Sequence, residues 1–433
     1  MSNYIIQGGH KLSGSITTNS SKNAAVALLS ASIINKGITE LLNFPRIQET
    51  ERIVEVLASI GFKISWLNKH HIKIVPPKKI CLSKINIEAA AQTRIILLFI
   101  GALAVEFKKF KLPKAGGCRL GKRSVNPHYY ALEEFGISIT SKNNFYNVIR
   151  NKLLPVKNLV LYESGDTVTE NALLIGARIP GKTIIKFASA NYQVQDLCYF
   201  LKMLGIKIAG IGTTTLTIEG LKHIKRNVKY YITEDPIESM LFIAIAATTN
   251  SSIIIKRCPI DFLELELLKL EKMGFKYDIL RSYKAKNGYS RLVDLKTFTS
   301  KLKALEDKIY GRPFPGLNID NLPFFVPIAT QARGRTFIHD WAFENRAIYS
   351  IEFNKLGAQV TLNDQHRFFV DGPTPLKSSD ITAPPALRPG AVLIVGMLAA
   401  KGTSILRNIY SIERGYENLS QRLKTIGARI EKE

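Results

Sequence analysis

One short pattern recurs six times in the chain, and it restricts the fold to a modular architecture. A helical tail runs into a glycine, and an alternating apolar strand follows. The copies centre on Gly61 (Ser59-Ile60-Gly61-Phe62), Gly136, Gly205, Gly274, Gly357 and Gly427. Successive glycines lie 75, 69, 69, 83 and 70 residues apart. Glycine there suits the left-handed residue that closes a helix just before a strand. Upstream of each glycine is an apolar run of helical length: Ala24 to Ile34, Ile95 to Val105, Ala172 to Ala177, Met240 to Ala247, Phe324 to Ala332 and Ala391 to Ala400. Between run and glycine sit a strand and a second helix, as with Thr183–Lys186 and about Val194 to Met203 in the third copy. Each copy is a β/α module that buries its apolar helix only against its neighbours.

The sixth copy lacks its last strand, and Tyr4-Ile5-Ile6-Gln7-Gly8 has the pattern of the missing piece. The expected organisation is therefore α/β (α+β), with two similar domains of three units each. One domain spans residues 22–231. The other joins 1–21 to 232–433, with chain crossings near Thr18 and Thr233. Hinged domains with a cleft between them are a common ligand-binding arrangement.

Charge narrows the partners. The chain carries 60 Lys and Arg against 35 Asp and Glu, a formal charge of +25. The surplus is spread along the chain, without an aromatic RNA-binding motif, zinc-finger spacing or arginine-rich tail, so a nucleic-acid partner is not expected. Cys81, Cys118, Cys198 and Cys258 are far apart and fit a reducing compartment without disulfides. Cys198 and Cys258 read as core residues, and His70 and His71 as turn or strand-edge residues. The histidines have no metal-binding spacing. The N-terminus lacks a signal-peptide pattern, and the longest apolar runs are too short to span a bilayer. The expectation is a cytoplasmic protein, not inserted in a membrane.

Two features point to an anionic substrate. The stretch Pro113 to His128 carries Lys114, Arg119, Lys122 and Arg123 around Cys118, with a Gly116-Gly117 pair before the cysteine. It reads as a mobile loop whose cationic surroundings favour the thiolate. The second feature lies just ahead of the apolar helices: Ser20 to Asn23, Gln92 to Arg94, Thr167 to Asn171, Glu234 to Glu238, Asn318 to Asn321 and Leu387 to Gly390. Most of these residues read as ordinary N-caps. Lys22, Arg94 and Arg388, however, are cations at the positive ends of helices, which is locally unfavourable. That placement is productive where an anion binds at the helix end.

These motifs resemble the enolpyruvyl transferase family over essentially the whole chain. The resemblance is carried by Ser20-Ser21-Lys22-Asn23-Ala24-Ala25, the Gly116-Gly117-Cys118 loop, Pro313-Phe314-Pro315-Gly316 followed by Asp320, Phe343-Glu344-Asn345-Arg346, Leu387-Arg388 and Glu413-Arg414-Gly415-Tyr416-Glu417. The loop cysteine marks the sugar-nucleotide branch rather than the shikimate branch. The resemblance implies an inside-out α/β barrel fold in which each domain has three β-α-β-α-β-β units, with an open-to-closed transition. It implies transfer of the enolpyruvyl group of phosphoenolpyruvate to the 3-hydroxyl of UDP-N-acetylglucosamine, the first committed step of peptidoglycan precursor synthesis. No metal and no organic cofactor are implied, and the expected state is a monomer.

By the same resemblance, Lys22, Arg123 and Arg414 hold phosphoenolpyruvate, and Lys22 also counts as catalytic. Cys118 delivers a proton to the methylene carbon, and Asp320 is the base at the sugar hydroxyl. Asn23, Arg94, Ser124, Val125, Asn126, Pro127, Asp320, Phe343 and Arg388 contact substrate. The chain departs from the family pattern at Asn126, Ala386, Asn191 and Gln193, where acidic residues are usual. The loop from Ser164 to Thr169 is longer than usual. Two rival readings remain: an enolpyruvyl transferase for another sugar nucleotide, and a non-catalytic anion- or nucleic-acid-binding descendant of the fold.

Overall fold

The structure, a computed structural model, describes residues 2–116 and 124–433. By internal contacts it divides into two compact units, one of residues 20–116 and 124–233, the other of residues 2–19 and 234–433.

Six helices carry the apolar runs: α1 (Lys22–Ser32), α2 (Leu98–Leu103), α3 (Asp166–Gly176), α4 (Pro236–Thr248), α5 (Phe325–Ala329) and α6 (Leu387–Ala399). Every residue of α4 is buried, as is every residue of α6 from Arg388 to Leu398. A helix apolar on all sides is stable only as a core element. In one unit α4, α5 and α6 pack against one another; in the other α2 packs against both α1 and α3.

Six sheets are found among the described residues, three in each unit. All six repeat glycines have positive φ, from 81° to 110°. The turn they make is visible at Gly205: its N–H reaches the Lys202 carbonyl at 2.9 Å, and the next N–H, of Ile206, reaches Leu201 at 3.1 Å. Those two bonds satisfy carbonyls that the helix end would leave unpaired. The strand Tyr4–Gly8 lies between Gly402–Arg407 and Arg429–Lys432, antiparallel to both. Two parallel pairings mark where the chain passes from one unit to the other. Ser13–Thr17, ahead of α1, pairs with Ser252–Pro259, and Val228–Tyr231, ahead of α4, pairs with Thr39–Leu42.

The copies are not identical. In five of them a short parallel strand leads into the apolar helix, as Leu159–Val160 does for α3. Ahead of α2 the chain forms a 3-10 turn, Leu82–Lys84, and a helix, Ile87–Ala91, and its sheet has three strands.

Several expected boundaries move. The run Ile95 to Val105 opens as a 3-10 turn, Arg94–Leu97, before α2. The run from Phe324 is likewise led by a 3-10 turn, Leu322–Phe324, and α5 ends at Ala329; Pro323 and Pro327 offer no N–H to the helix ladder. Thr167 to Asn171 do not precede the third helix. It starts at Asp166 behind an extended Gly165, with Asp166 in the turn where a carboxylate complements the dipole. The second helix of that copy begins at Tyr192, two residues ahead of Val194, capped by Asn191. The stretch from Pro113 to His128 is a loop only in part: Pro113 ends a strand, and a helix runs from Asn126 to Glu133 with Pro127 in its first turn. Gly116 owes its identity to crowding, since a Cβ there would lie 1.8 Å from the Ala91 carbonyl oxygen.

Candidate functional site

In the unit of residues 20–233, Lys22 is the first residue of α1. Ser21 precedes it with extended backbone, and its hydroxyl accepts from the Ala24 N–H at 3.1 Å. Lys22 is half-buried and has no ion-pair partner among the described residues. A cation on a helix N-terminus without a counter-charge is locally unfavourable, and an anion beside it would relieve that. Beside it Asn23 donates to the Tyr192 hydroxyl at 3.2 Å.

Arg94 opens the 3-10 turn ahead of α2 and donates to the Ser124 carbonyl at 2.9 Å. Ser124 in turn accepts at its hydroxyl from the Asn126 N–H at 3.1 Å. The structure thus brings Arg94, Ser124 and the helix start at Asn126–Pro127 together, with Val125 as the capping residue. Behind them His128 is buried, bonded to Asn171 at 3.1 Å and Thr167 at 3.3 Å. Burial, and then the Arg94 charge, lower its pKa to about 3, so the imidazole is neutral.

The same unit holds a second polar group. Asp166 accepts from the Ser189 hydroxyl at 2.5 Å and from the Asn191 amide at 3.0 Å. The Gln193 amide donates to Glu170 at 3.1 Å. Burial pushes the Glu170 carboxyl well above the ordinary range, and Asp166 adds to the push. Asn191 and Gln193, two of the departures noted above, therefore act here as donors to carboxyl groups on α3.

In the unit of residues 234–433, Asp320 stands between two guanidinium groups. Arg346 Nη1 lies 3.6 Å from Oδ1 and Arg388 Nη2 lies 3.6 Å from Oδ2. Asn318 fixes the turn by accepting from the Asp320 N–H at 2.9 Å. Asn318 N–H and the Asn321 amide both reach Glu266, at 3.0 and 2.8 Å. Phe343 lies under Arg346, whose carbon is 4.2 Å from the ring centre. Arg388, second residue of α6, donates to the Tyr416 hydroxyl at 2.5 Å. Asp235 caps α4, accepting from Ile237 N–H at 2.9 Å, and burial raises its pKa to about 6 although Arg388 pulls it down. Arg414 is half-buried at the end of the short helix Tyr410–Glu413.

Cys118 and Arg123 lie outside the described residues. Cys198 and Cys258 are buried, and burial raises both thiols; Cys81 is partly exposed. His70 lies in a turn and His71 begins a strand. Among the described residues no three His, Cys, Asp or Glu side chains are grouped to hold a metal ion. No described helix is long and apolar enough to cross a membrane. Sequence reasoning missed Asp340 as a neighbour of Asp320's surroundings, and it named Arg346 and Tyr416 only as parts of motifs. None has a periodic signal: Asp340 meets Arg346 across a turn of irregular chain, and Tyr416 meets Arg388 from another segment.

The family model of EPSP synthase (3-phosphoshikimate 1-carboxyvinyltransferase) matches residues 6–423. The chain belongs to this family. Within the EPSP synthase family, it is similar to proteins named UDP-N-acetylglucosamine 1-carboxyvinyltransferase. The one from Treponema denticola is 34% identical, with 100% of this chain and 99% of that protein covered. The one from Bradyrhizobium diazoefficiens is 32% identical, with 99% and 97% covered. Among solved structures, the enolpyruvyl transferase NikO from Streptomyces tendae superposes with a TM-score of 0.86 at 22% identity, covering 100% of this chain and 99% of NikO. EPSP synthase from Acinetobacter baumannii gives 0.74 at 15% identity, with both chains fully covered. The chain therefore has the family's fold, with mixed sheets outside and apolar helices inside.

Proposed function

We propose that the chain transfers the enolpyruvyl group of phosphoenolpyruvate to the 3-hydroxyl of UDP-N-acetylglucosamine and releases phosphate. The observation that carries this reading is the end-to-end similarity to the Treponema denticola protein, which spans every element bearing a candidate residue. The geometry supports the chemistry with a seat for an anion at Lys22 and a carboxylate, Asp320, flanked by cations.

In this reading Lys22, Arg123 and Arg414 bind phosphoenolpyruvate, and Asn23, Arg94, Arg388, Phe343 and the 124–127 segment hold the substrates. The sugar oxygen bonds to the central carbon of phosphoenolpyruvate while Asp320 takes the hydroxyl proton. Cys118 delivers a proton to the methylene carbon, which becomes a methyl group. The tetrahedral adduct then loses phosphate as the carbon–oxygen bond breaks. The methyl group returns a proton, restoring the double bond. Positioned proton transfer of this kind contributes about 10²–10⁴-fold. The product would feed peptidoglycan precursor synthesis, cell shape and division. The protein would work in the cytoplasm as a monomer without metal or organic cofactor.

The test is phosphate release from phosphoenolpyruvate with UDP-N-acetylglucosamine, with shikimate 3-phosphate, and with no acceptor. Release that requires UDP-N-acetylglucosamine is the expected result. Release only with another sugar nucleotide would move the acceptor. No release from folded protein with any acceptor would overturn the transferase reading and leave a binding role.

A further inference from the structure

Both cations flanking Asp320 are tethered to something else. Arg346 is held on three sides: its Nε donates to Asp340 Oδ2 at 2.6 Å, and its Nη2 donates to Asp340 Oδ1 at 2.8 Å and to the Ile319 carbonyl at 2.7 Å. The Phe343 ring lies against its flat face. The pair is buried, with 2% of the Arg346 and 6% of the Asp340 side chain exposed. Asp340 is itself fixed, since its N–H donates to the His366 carbonyl at 2.8 Å, and its own carbonyl lies 3.0 Å from His366 Nδ1. The remaining nitrogen, Nη1, is buried, makes no hydrogen bond among the described residues, and stops 3.6 Å from Asp320. Arg388 repeats the arrangement: Nη1 is bound to Tyr416 and Nη2 stops 3.6 Å from the other Asp320 oxygen.

At 3.6 Å neither contact is a hydrogen bond. Each arginine acts on Asp320 as a charge. A charge-assisted bidentate bond would lie nearer 2.8 Å and would lower the carboxylate's basicity further. A buried ion pair such as Asp340–Arg346 contributes little net stability compared with apolar packing, so its geometry calls for another role.

We propose that Asp340 and Tyr416 are positioning residues for the transfer reaction, tethering Arg346 and Arg388 so that neither collapses onto Asp320. This inference rests on the reading of Asp320 as the base. Two tethers of different chemistry, an acid and a phenol, thus hold both oxygens of one carboxylate at the same distance from a cation.

Tyr416→Phe removes a single hydroxyl and keeps the ring, and Asp340→Asn removes one charge. In each, the released arginine closes on Asp320. The expected result is a fall in kcat of about tenfold with KM for both substrates within about twofold, because a more tightly paired base accepts a proton less readily. The acidic limb of the kcat–pH profile should move to lower pH, since a closer cation favours the charged carboxylate. If Asp340→Asn does not fold, Tyr416→Phe decides alone. Unchanged kcat and an unmoved limb in folded Tyr416→Phe overturn the proposal, and so does a limb that moves to higher pH. A second readout needs no activity: titration of the Asp320 carboxyl by carbon NMR of aspartate-labelled protein, assigned with Asp320→Asn. An inactive parent protein would sink the transferase reading. A titration identical in the parent and Tyr416→Phe would sink the tether, whatever the activity.

Discussion

The two units repeat one architecture but surround two of their carboxyl groups, Asp320 and Glu170, differently. In residues 234–433 Asp320 is partly exposed and lies 3.6 Å from each of two arginines. In residues 20–233 Glu170 is buried, its carboxyl raised, and its neighbour is the Gln193 amide. Burial without a facing cation, with the Asp166 carboxyl nearby, favours the neutral form of Glu170, and the Gln193 amide only partly offsets that. The two carboxyl groups thus differ in burial and in what stands opposite them, which under the proposed function separates a reactive acid from a structural one.

The contrast can be tested from its strongest consequence down. Lys22→Ala removes the half-buried cation at the start of α1. The expectation is loss of phosphate release by about 10³-fold or more, by the magnitude of lost electrostatic stabilisation, and loss of calorimetric phosphoenolpyruvate binding. Unchanged affinity would break the anion-seat argument. Asp320→Asn should cost about 10²–10⁴-fold in kcat. Its melting temperature should fall by less than about 2 °C, because Arg346 keeps its Asp340 partner. A large loss of stability instead would make Asp320 a structural acid like Glu170.

For Glu170 the sign runs the other way. Its folded-state pKa lies above its unfolded one, so its contribution to stability is full below the ordinary carboxyl range and is lost as pH rises toward the folded value. Glu170→Gln should then melt like the parent near pH 4 and above it near pH 8, in calorimetric scans. An equal difference at both pH values would mean that Glu170 is charged in the fold. The smallest effect is expected for Ser189→Ala, which removes a hydroxyl that donates to Asp166 and accepts from the Asn191 N–H. It should cost about 1 kcal/mol, or a melting shift of about 2–4 °C, with kcat unchanged.

What could be read in the sequence was what repeats. The six glycines, the apolar helices and the N-terminal strand Tyr4–Gly8 each follow from a local period or a local backbone requirement, and each is present. Boundaries moved where a single residue outweighed the period: Gly165 and Asp166 at α3, Pro323 and Pro327 at α5, Pro127 in the expected loop. The candidate cations Lys22, Arg94 and Arg388 were legible because they sit where the helix dipole disfavours them, and the candidate acid Asp320 through the family resemblance. The restraints on that set were not legible. Asp340 reaches Arg346 by a turn of the loop, Tyr416 reaches Arg388 across 28 residues, and Gln193 reaches Glu170 across 23. Such pairings leave no periodic trace in a single sequence.

The strand Tyr4–Gly8 also sets an order on biosynthesis. It is translated about 390 residues ahead of both of its neighbours, Gly402–Arg407 and Arg429–Lys432. At about 5–20 residues per second the strand waits on the order of tens of seconds for its partners. Meanwhile residues 20–233 can complete their three sheets and act as a folded spacer between the waiting strand and the emerging chain. A strand of alternating apolar residues left open that long is a natural client for a chaperone, and its sheet closes only once those two neighbours have been made.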